Sequence, residues 1–407
     1  MSLEVYVALL DKFAAVAAIR AGLSTSAHDP TRVVIDEILS ATEGMVEGRR
    51  TILAGTNNYL GLTFDPSCLA AGKKALDMEG SGTTGSRMAN GSFAAHSALE
   101  RELADFYGMP HGMVFSTGYA ANLGTLAALL SPGDAVLLDA DAHASLYDGC
   151  RMSGADVFRF KHNDVESLEK RLQRLGDRAP NCLIVTEGLY SVLGDRAPLR
   201  KIVELKERFG ALLLVDEAHS LGVFGEHGRG VSETEGVLER VDFVVGTFSK
   251  SLGSMGGFCV SRHEELTLFR YVSRPFIFTA SSSPSIIATT REALHQIRTR
   301  PELRERLWRN ANQLFNGLHE LGFQTGPEVS PVVAVRIGSK EDALTCWNRL
   351  LESGIYVNLM IPPASPDSSS YLRCSVSAAH TTEQISTIIG AFRTLTPASL
   401  AARRRGD

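Results

Sequence analysis

The residues best placed for chemistry are a lysine, an aspartate and a histidine that follow apolar runs of the chain. Lys250 stands in "GTFSKS", directly after the run "VDFVV". Asp216 follows the run "ALLLV", and His219 comes three positions later in "DEAHS". A lysine amine is a nucleophile only when it is deprotonated, and its ordinary pKa of about 10.4 keeps it charged near neutral pH. The surroundings of Lys250 must therefore lower that pKa, or the amine must be converted into an imine.

An imine with pyridoxal phosphate would account for all three residue types. This cofactor needs an acid that keeps its ring nitrogen protonated, so that electrons can flow from a bound substrate into the ring. Asp216 fits that task, and His219 can reach the phenolic oxygen or the face of the ring. Taken singly, Lys250 would more often be a solvent-exposed lysine, Asp216 a helix cap and His219 a surface or core histidine. Their joint order at the ends of separate strands favours the cofactor.

Other residues after apolar runs supply what the phosphate and the ring of such a cofactor need. Gly118 and Tyr119 open a predicted helix, and the free amides at a helix N-terminus bind phosphate. Thr247 and Ser249 offer hydroxyls beside the lysine. His143, in "DADAHAS", is a flat aromatic group suited to stacking on a pyridine ring. The glycine-rich "GSMGG" lacks the G-x-G-x-x-G spacing, which argues against a dinucleotide-binding loop.

The hydrophobic pattern predicts a scaffold that brings these strand ends together. From about residue 112 onward, short apolar runs alternate with helix-length segments, which indicates a mainly parallel sheet covered by helices on both sides. Open sheets of this kind bind ligands beyond the carboxyl ends of their strands. The spacing also predicts a helix over 96–108 that ends at a glycine. The predicted strands lie in "GMVFS", "AVLLDA", "CLIVTEG", "ALLLVDEAH", "VDFVVGTF" and "GGFCVS".

The predicted organisation has three parts. The chain of 407 residues is longer than a domain with a single hydrophobic core usually is. An N-terminal helical segment is expected over 1–50 and a large α/β domain over 51–285. Near residue 285 the residue pattern changes to one typical of long charged helices, which predicts a smaller C-terminal α+β domain over 286–407. The fold class is therefore α/β, with a mainly parallel central sheet and a second, smaller domain.

The composition limits the classes of function. Hydrophobic residues at 44% and charged residues at 21% are typical of a folded soluble protein. A formal net charge of -5 argues against a nucleic-acid surface, and the basic end "RRRGD" is predicted to be a solvated tail. The six cysteines form no C-x-x-C pair, which favours reduced thiols and a cytoplasmic location. No apolar run reaches the roughly 18 residues of a membrane span, although the opening helix could contact a membrane surface or a partner subunit.

Seven motifs together resemble those of the α-oxoamine synthases, which are pyridoxal-phosphate enzymes of fold type I. The resemblance extends from about residue 50 to residue 390. It implies a fold type I transferase that condenses an amino acid with an acyl thioester and releases carbon dioxide. The motifs are "TNNYLGL", "GSGTTGSRMANGS", "STGYAAN", "DADAHASLYDG", "EGLYSVLGD", "DEAHSLGVFGEHGRG" and "GTFSKSLGSMGG".

The resemblance also implies roles for single positions around the cofactor ring. Lys250 would carry the cofactor and later remove the α-proton of the substrate. Asp216 would pair with the ring nitrogen, and His219 would contact the ring oxygen with Ser191 nearby. His143 would stack on the ring and help to orient the substrate carboxylate. The phosphate would be held by Gly118, Tyr119, Thr247 and Ser249.

Further implied roles concern the neighbouring subunit and the substrates. Thr279 and Ala280 would reach the phosphate of the other subunit, so a homodimer with shared active sites is expected. Arg373 would bind the amino-acid carboxylate, because a planar guanidinium matches a carboxylate. Asn58 is assigned to assist it, with the preceding asparagine as the alternative. Ser86 stands where aminolevulinate synthases carry a bulkier threonine, and a smaller residue leaves room for a substrate side chain.

Three other motifs are most similar to the branch of the family that uses serine. They are "RPFIFTAS", "YVNLMIPPASP" and "LRCSVSAAHT". The implied reaction condenses L-serine with a long-chain acyl-CoA, such as palmitoyl-CoA, to give 3-ketodihydrosphingosine, CoA and carbon dioxide, the first step of sphingolipid biosynthesis. Alanine or glycine as the amino acid, or an acyl-carrier-protein thioester as the donor, stays open. A third hypothesis, from a different class, is a catalytically silent partner subunit.

Overall fold

The computed structural model describes residues 10–24, 28–362 and 364–395. Residues 1–9 of the predicted opening segment and the "RRRGD" tail lie outside the described residues. The strands are β1 (Ile35–Ile38), β2 (Glu43–Val46), β3 (Arg49–Leu53), β4 (His111–Phe115), β5 (Ala135–Asp139), β6 (Asp156–Phe160), β7 (Cys182–Glu187), β8 (Leu212–Asp216), β9 (Phe243–Thr247), β10 (Gly257–Ser261), β11 (Val332–Gly338), β12 (Ile355–Tyr356), β13 (Asn358–Met360) and β14 (Ser370–Ser375).

The helices and strands alternate along the middle of the chain, between residues 94 and 247. They are α1 (Ala14–Ser24), α2 (Pro66–Glu79), α3 (Ala94–Tyr107), α4 (Gly118–Leu129), α5 (Ala144–Ser153), α6 (Val165–Leu175), α7 (Leu199–Phe209), α8 (Val231–Thr234), α9 (Phe269–Val272), α10 (Arg274–Ile277), α11 (Pro284–Thr299), α12 (Glu302–Glu320), α13 (Lys340–Glu352) and α14 (Thr382–Arg393). Helix α3 ends at Gly108, whose φ of 65° lies in the left-handed region. This agrees with the predicted helix over 96–108.

The main sheet has the strand order β4-β10-β9-β8-β7-β5-β6. The strands from β9 to β6 are parallel to one another, and β10 is antiparallel to both of its neighbours. Every residue of β5, β7 and β9 is buried, because helices cover both faces of the sheet. The prediction of a mainly parallel sheet covered by helices is confirmed.

Two smaller sheets complete the fold. Strands β11, β14 and β13 form an antiparallel sheet in the C-terminal part of the chain. Strands β1, β2 and β3 form an antiparallel meander that β12 extends by pairing in parallel with β3. The described part of residues 1–50 therefore holds strands as well as a helix, and the division at residues 50 and 285 stays a prediction.

The helices of residues 10–24, 28–362 and 364–395 are all too short or too polar to cross a bilayer. Helix α1 carries Val16 with 58% of its surface exposed. Contact of this segment with a membrane surface or a partner stays a prediction.

Candidate active site

A cavity of about 290 Å³ opens at the carboxyl edge of the main sheet. The structure brings eight of the predicted site residues to its walls, although they come from four separate segments of the chain. Those eight are Gly118, Tyr119, His143, Asp216, His219, Thr247, Ser249 and Lys250.

The neighbouring strands β8 and β9 place the acid and the amine. Asp216 ends β8 and pairs across the parallel ladder with Val245 of β9. Strand β9 ends two residues later, and Lys250 follows on a turn closed by a 2.9 Å hydrogen bond from the Gly253 amide to the Lys250 carbonyl. Gly253 has a φ of 57°, a conformation that favours glycine. Lys250 and Asp216 therefore lie at the same edge of the sheet, after neighbouring strands.

The electrostatics of the cavity favour an amine that can lose its proton. Burial lowers the pKa of Lys250 to about 8, although the negative charges of Asp216 and Glu187 act in the opposite direction. Burial also raises the pKa of Glu187 well above its usual range, and the neighbouring Asp216 adds to this effect. An amine with a pKa near 8 has a substantial neutral fraction at physiological pH.

A hydrogen-bond network fixes the acid beneath the cavity. The side-chain amide of Asn122 donates to Oδ2 of Asp216 at 2.7 Å and to Oγ of Ser145 at 2.9 Å. Ser145 Oγ in turn lies 2.8 Å from Nδ1 of His143. Sequence reasoning missed Asn122, although its position one helical turn after Gly118 was a signal that it faces the same side.

The second histidine of the cavity is held neutral. Burial lowers the pKa of His219 well below its usual range, and the positive charges of Lys250 and Arg373 add to this effect. Nδ1 of His219 is hydrogen bonded to the hydroxyl of Tyr59 at 2.7 Å. Tyr59 is fully buried and was also missed, because an aromatic residue in "NNYLG" is indistinguishable from a core residue.

An anion cradle lies where α4 approaches the end of β9. The first amides of a helix have no partner within the helix, and α4 begins at Gly118 with Thr117 as its cap. A Cβ at Gly118 would lie only 2.8 Å from Cβ and Oγ1 of Thr247. Ser249 Oγ lies 2.9 Å from the same Thr247 hydroxyl. Glycine at position 118 therefore lets helix amides and hydroxyls converge on one small space.

Arg373 is buried beside the cavity, with its guanidinium held on three sides. Its Nε donates to the Ser191 carbonyl, and its terminal nitrogens donate to Ser375 Oγ at 2.7 Å and to Asn57 Oδ1 at 3.1 Å. Asn58 instead donates to Thr63 Oγ1 at 2.8 Å. The structure thus places Asn57, and not the predicted Asn58, next to the arginine.

The remaining predicted residues lie away from this cavity. Ser191 lines a second cavity of about 560 Å³, which shares His143 with the first and has Val192, Leu193 and Met360 in its wall. Ser86 and Ala280 pair as an isolated antiparallel bridge near the surface. Thr279 and Ala280 are exposed in the single chain, so the residues predicted to serve a neighbouring subunit form one surface segment.

The residues of the cavity fit the predicted cofactor. The cradle around Gly118 has donors suited to a phosphate, Asp216 is held in place by Asn122, and Lys250 has a lowered pKa. The fold is that of the fold type I transferases, as predicted. The chain belongs to the aminotransferase class I and II family, whose model matches residues 50–392.

Similarity to individual proteins points to one activity within this family. The chain is 56% identical to the serine palmitoyltransferase of Caulobacter vibrioides, over 89% of this chain and 90% of that protein. It is 50% identical to the serine palmitoyltransferase of Sphingomonas paucimobilis, over 95% and 92% respectively. A solved structure of SPT with PLP as an internal aldimine superposes with a TM-score of 0.93, at 49% identity, and covers 96% of this chain and 99% of that one. The resemblance inferred from the motifs is confirmed.

Lys250 should react with small aldehydes at an unusually low pH. Its pKa of about 8 predicts that labelling by reductive methylation rises with pH and reaches half of its maximum near pH 8, whereas an ordinary lysine requires a pH about two units higher. The measurement is the labelled fraction of the peptide that contains Lys250, by mass spectrometry, after any bound aldehyde has been removed with hydroxylamine. Lys250→Arg provides the control, and a midpoint near pH 10 for Lys250 would contradict the prediction.

Proposed function

We propose that this enzyme condenses L-serine with a long-chain acyl-CoA, palmitoyl-CoA being the reference donor, and releases CoA and carbon dioxide. The product is 3-ketodihydrosphingosine, which enters sphingolipid biosynthesis. The observation that carries the proposal is the high identity to serine palmitoyltransferases, together with a cavity lined by Lys250 and Asp216 and a buried Arg373 whose charge acts on Lys250.

Pyridoxal phosphate is the cofactor that these residues would hold. The amides of Gly118 and Tyr119 and the hydroxyls of Thr247 and Ser249 would bind its phosphate. Asp216 would face the protonated ring nitrogen, His219 the ring oxygen, and His143 the ring face. When bound, this cofactor supplies an electron sink that stabilises negative charge at the α-carbon of an amino acid.

Lys250 is the proposed base for the substrate α-proton. Its Nζ must be neutral when it accepts the proton, and the pKa of about 8 makes this form accessible near neutral pH. Asp216 and Glu187 then stabilise the ammonium that results. The same two carboxylates are themselves fixed, Asp216 by Asn122 and Glu187 by the backbone amide of His143 at 2.6 Å.

Arg373 is the proposed receptor for the amino-acid carboxylate. The Ser191 carbonyl and Asn57 orient the guanidinium from two sides, so that it loses little side-chain entropy when it binds. His143, at the mouth shared by both cavities, would help to orient the same carboxylate. The second cavity gives an apolar acyl substrate room next to the reacting carbon.

A surface segment supports the proposed homodimer with shared sites. Tyr271, Val272 and Phe278 have 68%, 57% and 73% of their surfaces exposed, and all three shortly precede Thr279 and Ala280 in the sequence. Exposed apolar clusters of this size mark interaction sites in soluble proteins. A second copy of the chain would cover them and receive the two residues at its phosphate.

The dimer is tested by Phe278→Glu. We expect sedimentation equilibrium to give a mass twice the 43.9 kDa of the chain for the unchanged protein, and a concentration-dependent shift to the monomer for the variant. Met152→Glu, which changes another exposed apolar residue far along α5, serves as the control. An unchanged protein that is monomeric at micromolar concentration would refute the dimer.

The cytoplasmic location is also proposed. The six cysteines are all buried and free of disulfide bonds, which is usual in a reducing compartment. Cell fractionation with an antibody to the chain tests this, and recovery from a membrane pellet that resists salt washing would contradict it.

Asn122→Ala should weaken cofactor binding. The variant removes the hydrogen bond that fixes Asp216, and a hydrogen bond to a charged group is worth about 1.5–3 kcal/mol. We therefore expect the Kd of the apoprotein for pyridoxal phosphate, measured by absorbance titration, to rise about tenfold or more. Asn310→Ala is the matched control, because Asn310 is equally buried and donates to two carbonyls, those of Ser377 and His380, away from the cavity. A similar Kd for both variants would contradict the role of Asn122.

The choice of amino acid is tested by titration of the cofactor-loaded enzyme. L-Serine, L-alanine and glycine are added separately, and the absorbance band of the bound cofactor is followed. We expect serine to saturate the change at the lowest concentration and to support carbon dioxide release with palmitoyl-CoA. Saturation by alanine or glycine without a response to serine would favour the alternative substrates, and carrier-protein thioesters are compared as donors. A protein that never becomes yellow would favour the silent partner.

Arg373→Lys provides a control for that experiment. Lysine keeps the charge but lacks the planar fork, so the serine concentration at half-saturation should rise about tenfold or more. Serine amide, which has no carboxylate, should distinguish little between the enzyme and the variant. An equal loss for serine and serine amide would show that Arg373 does not act on the carboxylate.

A further inference from the structure

A histidine outside the catalytic cavity stands between two buried aspartates. Nδ1 of His162 lies 2.9 Å from Oδ1 of Asp139, and Nε2 lies 2.7 Å from Oδ2 of Asp195. The exposed fractions of the three side chains are 20%, 1% and 12%. Burial alone would lower the pKa of His162, but the hydrogen bonds to both aspartates raise it to about 10. The ring is therefore an imidazolium that donates on both sides.

This double ion pair joins two separate parts of the sheet edge. Asp139 ends β5, whereas Asp195 lies in the loop that follows β7. Asn163 makes a parallel connection, because its amide donates to Asp139 Oδ2 at 3.0 Å and its side chain donates to Asp195 Oδ2 at 2.8 Å. The φ of Asn163 is 52°, a conformation that the backbone keeps only when its contacts hold it. The aromatic ring of Tyr190 meets His162 edge-on, with centroids 4.3 Å apart.

The loop held in this way is a short hairpin that ends at the substrate side of the site. Leu189 and Arg196 pair as an antiparallel bridge, and the Tyr190 amide donates to the Asp195 carbonyl at 2.9 Å. At its tip, the Ser191 carbonyl accepts the hydrogen bond from Nε of Arg373. A continuous series of polar contacts therefore runs from Asp139 through His162 and the hairpin to the guanidinium.

We propose that His162 is a positioning residue for Arg373. Its two ion pairs fix the hairpin, and the hairpin sets the direction in which the guanidinium meets the amino-acid carboxylate. This inference rests on the proposed function, since it takes Arg373 to be the carboxylate receptor. His162 is not in the wall of the catalytic cavity, but it and Asp195 line the second cavity beside Ser191.

Neutral substitution of His162 would release the hairpin without altering the cavity directly. Glutamine can bond to one aspartate at most, which leaves the other as a buried charge without its partner. The hairpin would then relax away from its present position, and the Ser191 carbonyl would move with it. Lys250 and Asp216 belong to other strands, so their positions should not change.

The test uses the cofactor-loaded enzyme and two variants that break the same bridge, His162→Gln and Asp195→Asn. We expect the serine concentration at half-saturation of the absorbance change to rise about tenfold in each, since small misplacements of a binding group cost on this order. The titration is made without acyl-CoA, because His162 and Asp195 also line the second cavity and turnover with palmitoyl-CoA would not report on Arg373 alone. The double variant should lose no more than the worse single variant, because both residues act as one unit. Serine amide should show little difference between variants and enzyme.

His263→Gln is the matched control. Nε2 of His263 lies 3.0 Å from Oδ1 of Asp242, so it too is a histidine paired with an aspartate, but at the opposite end of the strands. Its serine half-saturation should equal that of the unchanged enzyme, even where its melting temperature falls.

The outcomes separate this inference from the proposed function. Melting temperatures that fall in His162→Gln and Asp195→Asn while serine half-saturation stays unchanged would overturn the positioning role. If His162→Gln does not fold, Asp195→Asn carries the same test. An unchanged enzyme that fails to respond to serine at all would instead refute the proposed function.

Discussion

This site depends on the burial of one amine, the Nζ of Lys250. Burial lowers the pKa of Lys250 and so favours its neutral form. Two buried carboxylates, Asp216 and Glu187, act in the opposite direction and favour the charged form. Charged groups are stable inside a protein only when each has hydrogen-bond partners. The Asn122 side chain and the Ala218 backbone amide donate hydrogen bonds to Asp216, and the His143 backbone amide donates one to Glu187. The polar network around the cavity is therefore needed to keep both the neutral and the charged form of Lys250 accessible.

The parallel sheet makes this concentration of polar groups possible. Its central strands β5, β7 and β9 are buried on both faces along their length, and the polar residues of the site begin where these strands end. Because five parallel strands end at one edge, residues far apart in sequence meet there without crossing the core. Glycine at position 118 then lets a helix N-terminus approach the hydroxyls after β9, which any side chain at that position would prevent. The scaffold is rigid where the chemistry needs fixed distances.

Much of this arrangement could be predicted from the sequence, because apolar runs and the polar residues that follow them are local signals. The edge strand β6 escaped prediction since "DVFRF" is polar and only partly buried. The choice between Asn57 and Asn58 could not be made, because it depends on the turn that directs one side chain to Arg373 and the other to Thr63. Asn122 and Tyr59 act through contacts with residues about 94 and 160 positions away, and no local pattern encodes such contacts.

The pairing of β12 with β3 has a consequence for how the protein is made. The residues that surround Arg373 come from both ends of the chain, because Asn57 follows β3 and Ser375 ends β14. On the ribosome, the meander of β1, β2 and β3 emerges early and keeps an open hydrogen-bonding edge until residues 355–356 arrive. A nascent chain can thus assemble the cofactor half of the site well before the half that recognises the carboxylate.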